Sequence, residues 1–259
     1  MYKLKNMVNI SQIYITKNNA PLPRLFEEST NTVKQNLLHD DYKLYKKEEI
    51  QELIKDNFPI EVFKSFQKLK PYALKKDLAS YCLGYLKGGW FIDISIKIKI
   101  PFNIKQFNKL EFLGFRDYGP GILNPNTLNY LIQTSLFYTE PRSRIMEKAI
   151  EISIKNCMEE FYGLTTSCIT GPSVLGRSQA FFGTNLNQTI GFFMPLTEQF
   201  NQKNRSYILP TGDIFALHKD SWLPSARGGD LNAFGAKGTN NHIEMYYKKE
   251  VFESNINYK

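Results

Sequence analysis

The 259-residue chain is 42% hydrophobic and 14% aromatic, the make-up of a chain that packs a core rather than staying disordered, and no shift in composition divides it. No stretch approaches the roughly 20 apolar residues needed to cross a bilayer, and the opening MYKLKNMVNISQIYI lacks a leader's apolar region and small-residue cleavage site, so one cytoplasmic domain over 1–259 is expected. The formal charge of +8 comes from lysines spread along the chain, with no helix-turn-helix, RNP or zinc pattern beside them; nucleic acid is not an expected partner, whereas peripheral contact with an anionic inner-membrane face is.

Val8, Ile10, Ile13 and Ile15 form a short apolar run ending in TKNNAPLP, which predicts a buried first strand followed by a loop. From Pro23 to about Leu38 the apolar residues recur at helical spacing, and DYKLYK then alternates like a strand. Helical stretches near 47–56 and 60–69 precede Pro71. The order so far is β-α-β-α, the mark of an α/β sheet.

Pro71 is placed to open a helix, Leu74, Leu78, Tyr81, Cys82, Tyr85 and Leu86 continue it at helical spacing, and Gly88-Gly89 ends it. Trp90, Phe91 and Ile92 then predict a buried strand with Asp93 at its carboxyl end, where open α/β sheets keep their ligands. Beyond Asp93, isoleucines from Ile94 to Ile100 alternate with Ser95, Lys97 and Lys99, which predicts an extended, half-exposed continuation as far as Pro101. A second long helix has Ile145, Ala149, Ile150, Ser153, Cys157 and Phe161 on one face. ITGPSVLG reads as a turn entering another apolar element, YILPTGDIFALH as one late strand reaching His218, and the Gly- and Asn-rich tail after Trp222, with Arg227-Gly-Gly-Asp230, as a mobile loop. Three cysteines, Cys82, Cys157 and Cys168, cannot all pair and show no CxxC spacing, so free thiols are expected.

The run KKDLASYCLGYLKGGWFIDIS resembles a block of family thirty-two of the glycosyltransferases, the DXD or sugar-binding-region group, in which an SDxxRY helix leads into YGGxYxDxD. The matching positions are Asp77, Tyr81, Tyr85, Gly88, Gly89, Phe91 and Asp93; SQIYI near the start, TGPSVL at 170–175 and ALHKDSW at 216–222 follow in the family's order. The resemblance implies a GT-A (Rossmann-like) fold, a mostly parallel central sheet flanked by helices. It also implies retaining transfer of a hexosyl unit from a UDP- or GDP-sugar to a saccharide or lipid-linked saccharide, in capsule, lipopolysaccharide or O-antigen assembly.

A nucleotide-sugar donor departs as a diphosphate, and the charge growing on it must be met by a cation or preorganised donors. In the family a DxD pair and a late histidine hold a divalent metal, manganese or magnesium, on that diphosphate. By position the resemblance makes Asp93, Ser95 and His218 the metal set and Asp93 and Asp77 the catalytic carboxylates. Asp77 would meet donor hydroxyls, Gln12, Ile13 and Tyr14 would border the nucleoside, and Lys219, Ser221 and Trp222 would meet the diphosphate. Gly88 and Gly89 would let the backbone pack beneath the donor.

Three departures from the pattern matter for the chemistry: Ser95 replaces the second acid of DxD, Ser80 the motif arginine, and Ser11 the histidine that usually precedes the first strand. Losing a carboxylate weakens the expected hold on a cation, since unit charges about 4 Å apart interact by roughly 4 kcal/mol at an effective dielectric of 20. Without a metal, Lys219, Arg227 or Lys237 would have to supply the charge. The alternative is a non-catalytic relative that binds nucleotide sugar or glycan through a degenerate DxD.

Overall fold

A computed structural model describes residues 8–99, 101–117, 130–183, 187–195, 205–222, 231 and 234–254. Its strands are β1 (Asn9–Ile13), β2 (Asp41–Tyr45), β3 (Gly89–Ile92), β4 (Lys97–Ile98), β5 (Phe112–Asp117), β6 (Leu136–Thr139), β7 (Gln188–Pro195), β8 (Arg205–Ile208) and β9 (Ile214–Leu217). The helices are α1 (Arg24–Asn36), α2 (Lys47–Asn57), α3 (Ile60–Lys68), α4 (Tyr72–Lys87), α5 (Arg144–Met158), α6 (Pro172–Phe182), α7 (Lys219–Trp222) and α8 (His242–Tyr247). The expected 227–230 turn, and Arg227 with it, lies outside the described residues.

The strands form one nine-stranded sheet in the order β2-β1-β3-β6-β5-β7-β8-β9-β4. Helices cover it, as the α/β alternation predicts, but the expected mostly parallel arrangement does not hold. Only β1 with β2, β1 with β3, and β5 with β7 run parallel; the remaining neighbours in the sheet are antiparallel. For β8 and β9 the cause is connection length. Helical crossovers return the chain in the same direction, while a tight turn must reverse it. YILPTGDIFALH contains such a turn: Gly212, at φ +91°, donates its N–H to Leu209 O and splits the expected single strand into the β8–β9 hairpin.

Alternation along β1 and β3 divides the core in two. Ile10, Trp90 and Ile92 pack with Val33 and Leu37 around α1, whereas Ile13 and Phe91 pack with Leu78, Tyr81, Cys82 and Ala149 of α4 and α5. Helix α4 lies between the sheet and other helices and is buried on nearly every side from Leu74 to Gly84, which explains its weak amphipathicity. Cys82, Cys157 and Cys168 are free and buried, as expected.

The register decides where polar groups gather. With β1 parallel to β3 and β6 antiparallel to β3, the carboxyl ends of β1 and β3 share an edge with the amino end of β6. Followed across the sheet, the amino end of β8 and the carboxyl end of β9 fall on that edge as well. The first turns of α4 and α6 meet the same edge, where Tyr81 Oη donates to Thr170 O and Thr170 Oγ1 donates to Leu74 O.

Candidate active site

A cavity of about 310 Å³ opens at this edge, at the small end of the range for ligand sites. Its walls include Tyr14 after β1, Asp77 of α4, Asp93 after β3, Thr134 before β6 and His218 after β9. Of the residues expected to bind donor, Ile13, Tyr14, Asp77, Asp93, Ser95, His218 and Lys219 line it. Tyr14 is 2% exposed, and its buried hydroxyl has no hydrogen-bond partner among the described residues.

The floor is an ion cluster. Lys76 Nζ lies 3.0 Å from Asp93 Oδ2 and 3.3 Å from Asp77 Oδ1, with all three side chains largely buried. Thr134 Oγ1 donates to Asp77 Oδ1 at 2.8 Å. Burial alone would raise Asp93, but the Lys76 charge and two donors from Ser95 outweigh it and hold the carboxyl down at about 2. For Asp77 burial prevails over Lys76 and Thr134, and its pKa moves up from the usual carboxylate value. Burial would also depress Lys76, yet Asp93 and Asp77 reverse that and keep it firmly protonated.

Ser95 does not stand on the exposed face of an extended run. It is 5% exposed, and both its N–H and its Oγ donate to Asp93 Oδ1, at 3.0 and 2.7 Å. An aspartate that captures the donors two residues on folds the chain into a local turn, so residues 94–95 turn and only Lys97–Ile98 returns to strand.

A second cluster closes the other wall. Arg205 Nε and Nη2 donate to Asp220 Oδ2 at 2.9 and 2.6 Å, while His218 Nδ1 lies 2.8 Å from Asp220 Oδ1. Burial pulls His218 below the ordinary histidine value despite Asp220, and it pulls Lys219 down despite the opposing pull of Asp93. His242 also faces the cavity; burial, with Lys219 and Lys76 nearby, lowers it to about 4.

Five of the expected donor contacts are not brought to the cavity. Gln12 is fully buried, accepting from Tyr42 Oη at 2.6 Å and donating to Asp93 O at 3.4 Å, so it fixes the backbone behind the site. Gly88 and Gly89 sit at the opposite end of β3, at φ +62° and +89°. A Cβ on Gly89 would stand 2.4 Å from Asn9 O, so these glycines serve the α4–β3 turn. Ser221 Oγ donates to Arg205 O, and Trp222 Nε1 donates to Ser95 O at 3.1 Å while its ring packs on Phe234. Both buttress the walls. Lys76, Arg205, Asp220, Thr134 and His242 were not singled out from sequence; Lys76 and Asp220 lay inside the quoted motif blocks.

The three groups expected to ligate a divalent ion have protein partners in this structure. Both Asp93 oxygens are engaged by Lys76 and Ser95, Ser95 Oγ donates to Asp93, and His218 sets Nδ1 beside Asp220, which leaves its other ring nitrogen uncommitted to that contact. Among the described residues no group of three or more His, Cys, Asp or Glu side chains is placed to hold a metal. Lys219 lines the cavity, whereas Lys237 is exposed and does not.

No protein-family model matches the chain, and no curated protein matches its sequence. Among solved structures, the PaToxG glycosyltransferase superposes with a TM-score of 0.48 at 15% identity, over 66% of this chain and 68% of that one.

Proposed function

We propose that the chain transfers a hexosyl unit from a nucleotide-sugar donor to a saccharide acceptor, with the donor seated in the cavity between Asp77, Asp93 and His218. The observation that carries this is convergence. The four ordered motif blocks lie far apart in sequence, yet each contributes wall residues to one cavity: Tyr14, the Asp77 and Asp93 pair, Pro172, and His218 with Lys219. Motif matches scattered by chance over a chain this size have no reason to share one sheet edge.

In this reading the bond from the sugar's anomeric carbon to the diphosphate oxygen breaks, the acceptor oxygen bonds to that carbon, and the acceptor proton leaves with the nucleoside diphosphate. Asp77 and Asp93 orient the donor hydroxyls, and cationic side chains meet the charge on the departing diphosphate. Retention of configuration, a UDP- or GDP-linked donor, a lipid-linked acceptor, and work on capsule, lipopolysaccharide or O-antigen at the cytoplasmic membrane face are the finer parts of the proposal. The fact that bears on location is that no described helix is long and apolar enough to cross a membrane.

The saturation of Asp93 by Lys76 and Ser95 favours one alternative, a relative that binds nucleotide sugar without turning it over. A panel of UDP- and GDP-sugars, assayed for hydrolysis and transfer by wild type and Asp93→Asn, separates the two. Turnover of one donor that disappears in folded Asp93→Asn is expected. Binding without turnover would establish the alternative, and neither binding nor turnover would remove both.

A further inference from the structure

We propose that Lys76 is the resident cation of this site: its ammonium, fixed between Asp77 and Asp93, takes the place of a divalent ion, so that donor binding and sugar transfer run without divalent metal. This rests on the nucleotide-sugar reading above and deepens it. The geometry carries it. Asp93 Oδ2 faces Lys76 Nζ at 3.0 Å, and Asp93 Oδ1 already accepts from Ser95 N and Oγ. Asp77 Oδ1 lies 3.3 Å from the same ammonium and accepts from Thr134. A divalent ion reaching these carboxylates would have to displace a charge that both already hold, in surroundings too dry to screen the repulsion.

The motif positions give a second, independent argument. Where the resembled block has the serine of SDxxRY this chain has Lys76, and where it has the second acid of DxD this chain has Ser95. One exchange adds a positive charge and the other removes a negative one. Together they supply the two units of charge that a divalent ion would otherwise bring. An ammonium has three N–H donors, and with two directed at Asp93 and Asp77 the third is available to a diphosphate oxygen. Lys219 lines the same cavity and adds to its affinity for an anion.

Two titrations on the full chain test this. Manganese(II) added to protein alone, followed by electron paramagnetic resonance, should remain free in wild type. UDP and GDP, titrated calorimetrically in EDTA and then in manganese chloride, should bind with dissociation constants that agree within about threefold. The double variant Lys76→Ser with Ser95→Asp should take up manganese and bind nucleotide about tenfold more weakly in EDTA than with manganese. Manganese uptake by wild type, a tenfold or greater loss of wild-type nucleotide affinity in EDTA, or a folded double variant indifferent to manganese would each overturn the proposal. Failure of both nucleotides to bind in either buffer would count against the nucleotide-sugar reading instead, and the manganese titration would still decide the cation question.

Discussion

Lys75 and Lys76 are neighbours on one helix, both taken largely out of water, and they meet opposite fates. Lys75 is 8% exposed and donates to Phe66 O and Gln67 O, carbonyls in the last turn of α3 that have no helical partner of their own. Neutral acceptors do not repay the loss of hydration, so burial, with Lys47 adding to it, pushes Lys75 down to about 8. Lys76 points about 100° around the helix into the cavity, and there Asp93 and Asp77 more than reverse the same burial. Burial sets the size of what is at stake, and the partners set its sign. One lysine staples two helices; the other belongs to a charged site.

The contrast breaks most visibly if Lys76 loses its charge. Lys76→Met leaves two buried carboxylates without their counter-ion and should cost about 3–5 kcal/mol of stability at neutral pH, read by urea denaturation. Adding Asp93→Asn should recover part of that loss, because one of the stranded charges is then gone. Lys75→Met at pH 7 should cost no more than about 1 kcal/mol, since the lost cap is offset by the ended desolvation.

Lys75 sharpens the comparison through pH. Between about 8 and the ordinary lysine value, the fold releases a proton that the unfolded chain still holds. Stability should therefore rise with pH through that window, by about 3 kcal/mol over the full shift. The difference between wild-type and Lys75→Met urea midpoints from pH 7.5 to 10.5 measures it, and a flat difference would contradict the account. A small effect is expected at Trp222, which supports the Ser95 turn from outside the cavity. Trp222→Phe should lose about 1 kcal/mol for the missing Ser95 hydrogen bond and leave nucleotide affinity close to wild type.

The first half of the fold was legible because its signals are local. Helical spacing from Pro23 to Leu86, the Gly88-Gly89 stop and the apolar run before Asp93 each depend on near neighbours, and β1 to β3 with α1 to α4 stand where they were expected. Strand direction is not local, and the mixed sheet was missed. So were β5 and β6, although residues 133–135 between them bring Thr134 to Asp77. Asp93 could be placed at a strand end from sequence, but not the capture of its carboxylate by Ser95, which turned an expected extended run into a turn. Nothing in KKD tells two lysines apart. Only the partners that folding brings to each, α3 carbonyls for Lys75 and a strand-end aspartate for Lys76, assign them.

The most direct test of the site is to watch both ammonium groups while a nucleotide binds. With lysines labelled at Nζ and assigned by Lys75→Met and Lys76→Met, nitrogen-15 resonance during titration with UDP or GDP in EDTA should show the Lys76 signal moving to saturation while that of Lys75 stays in place. A saturating nucleotide that leaves Lys76 unmoved, or moves only Lys75, would contradict the placement of the donor in this cavity.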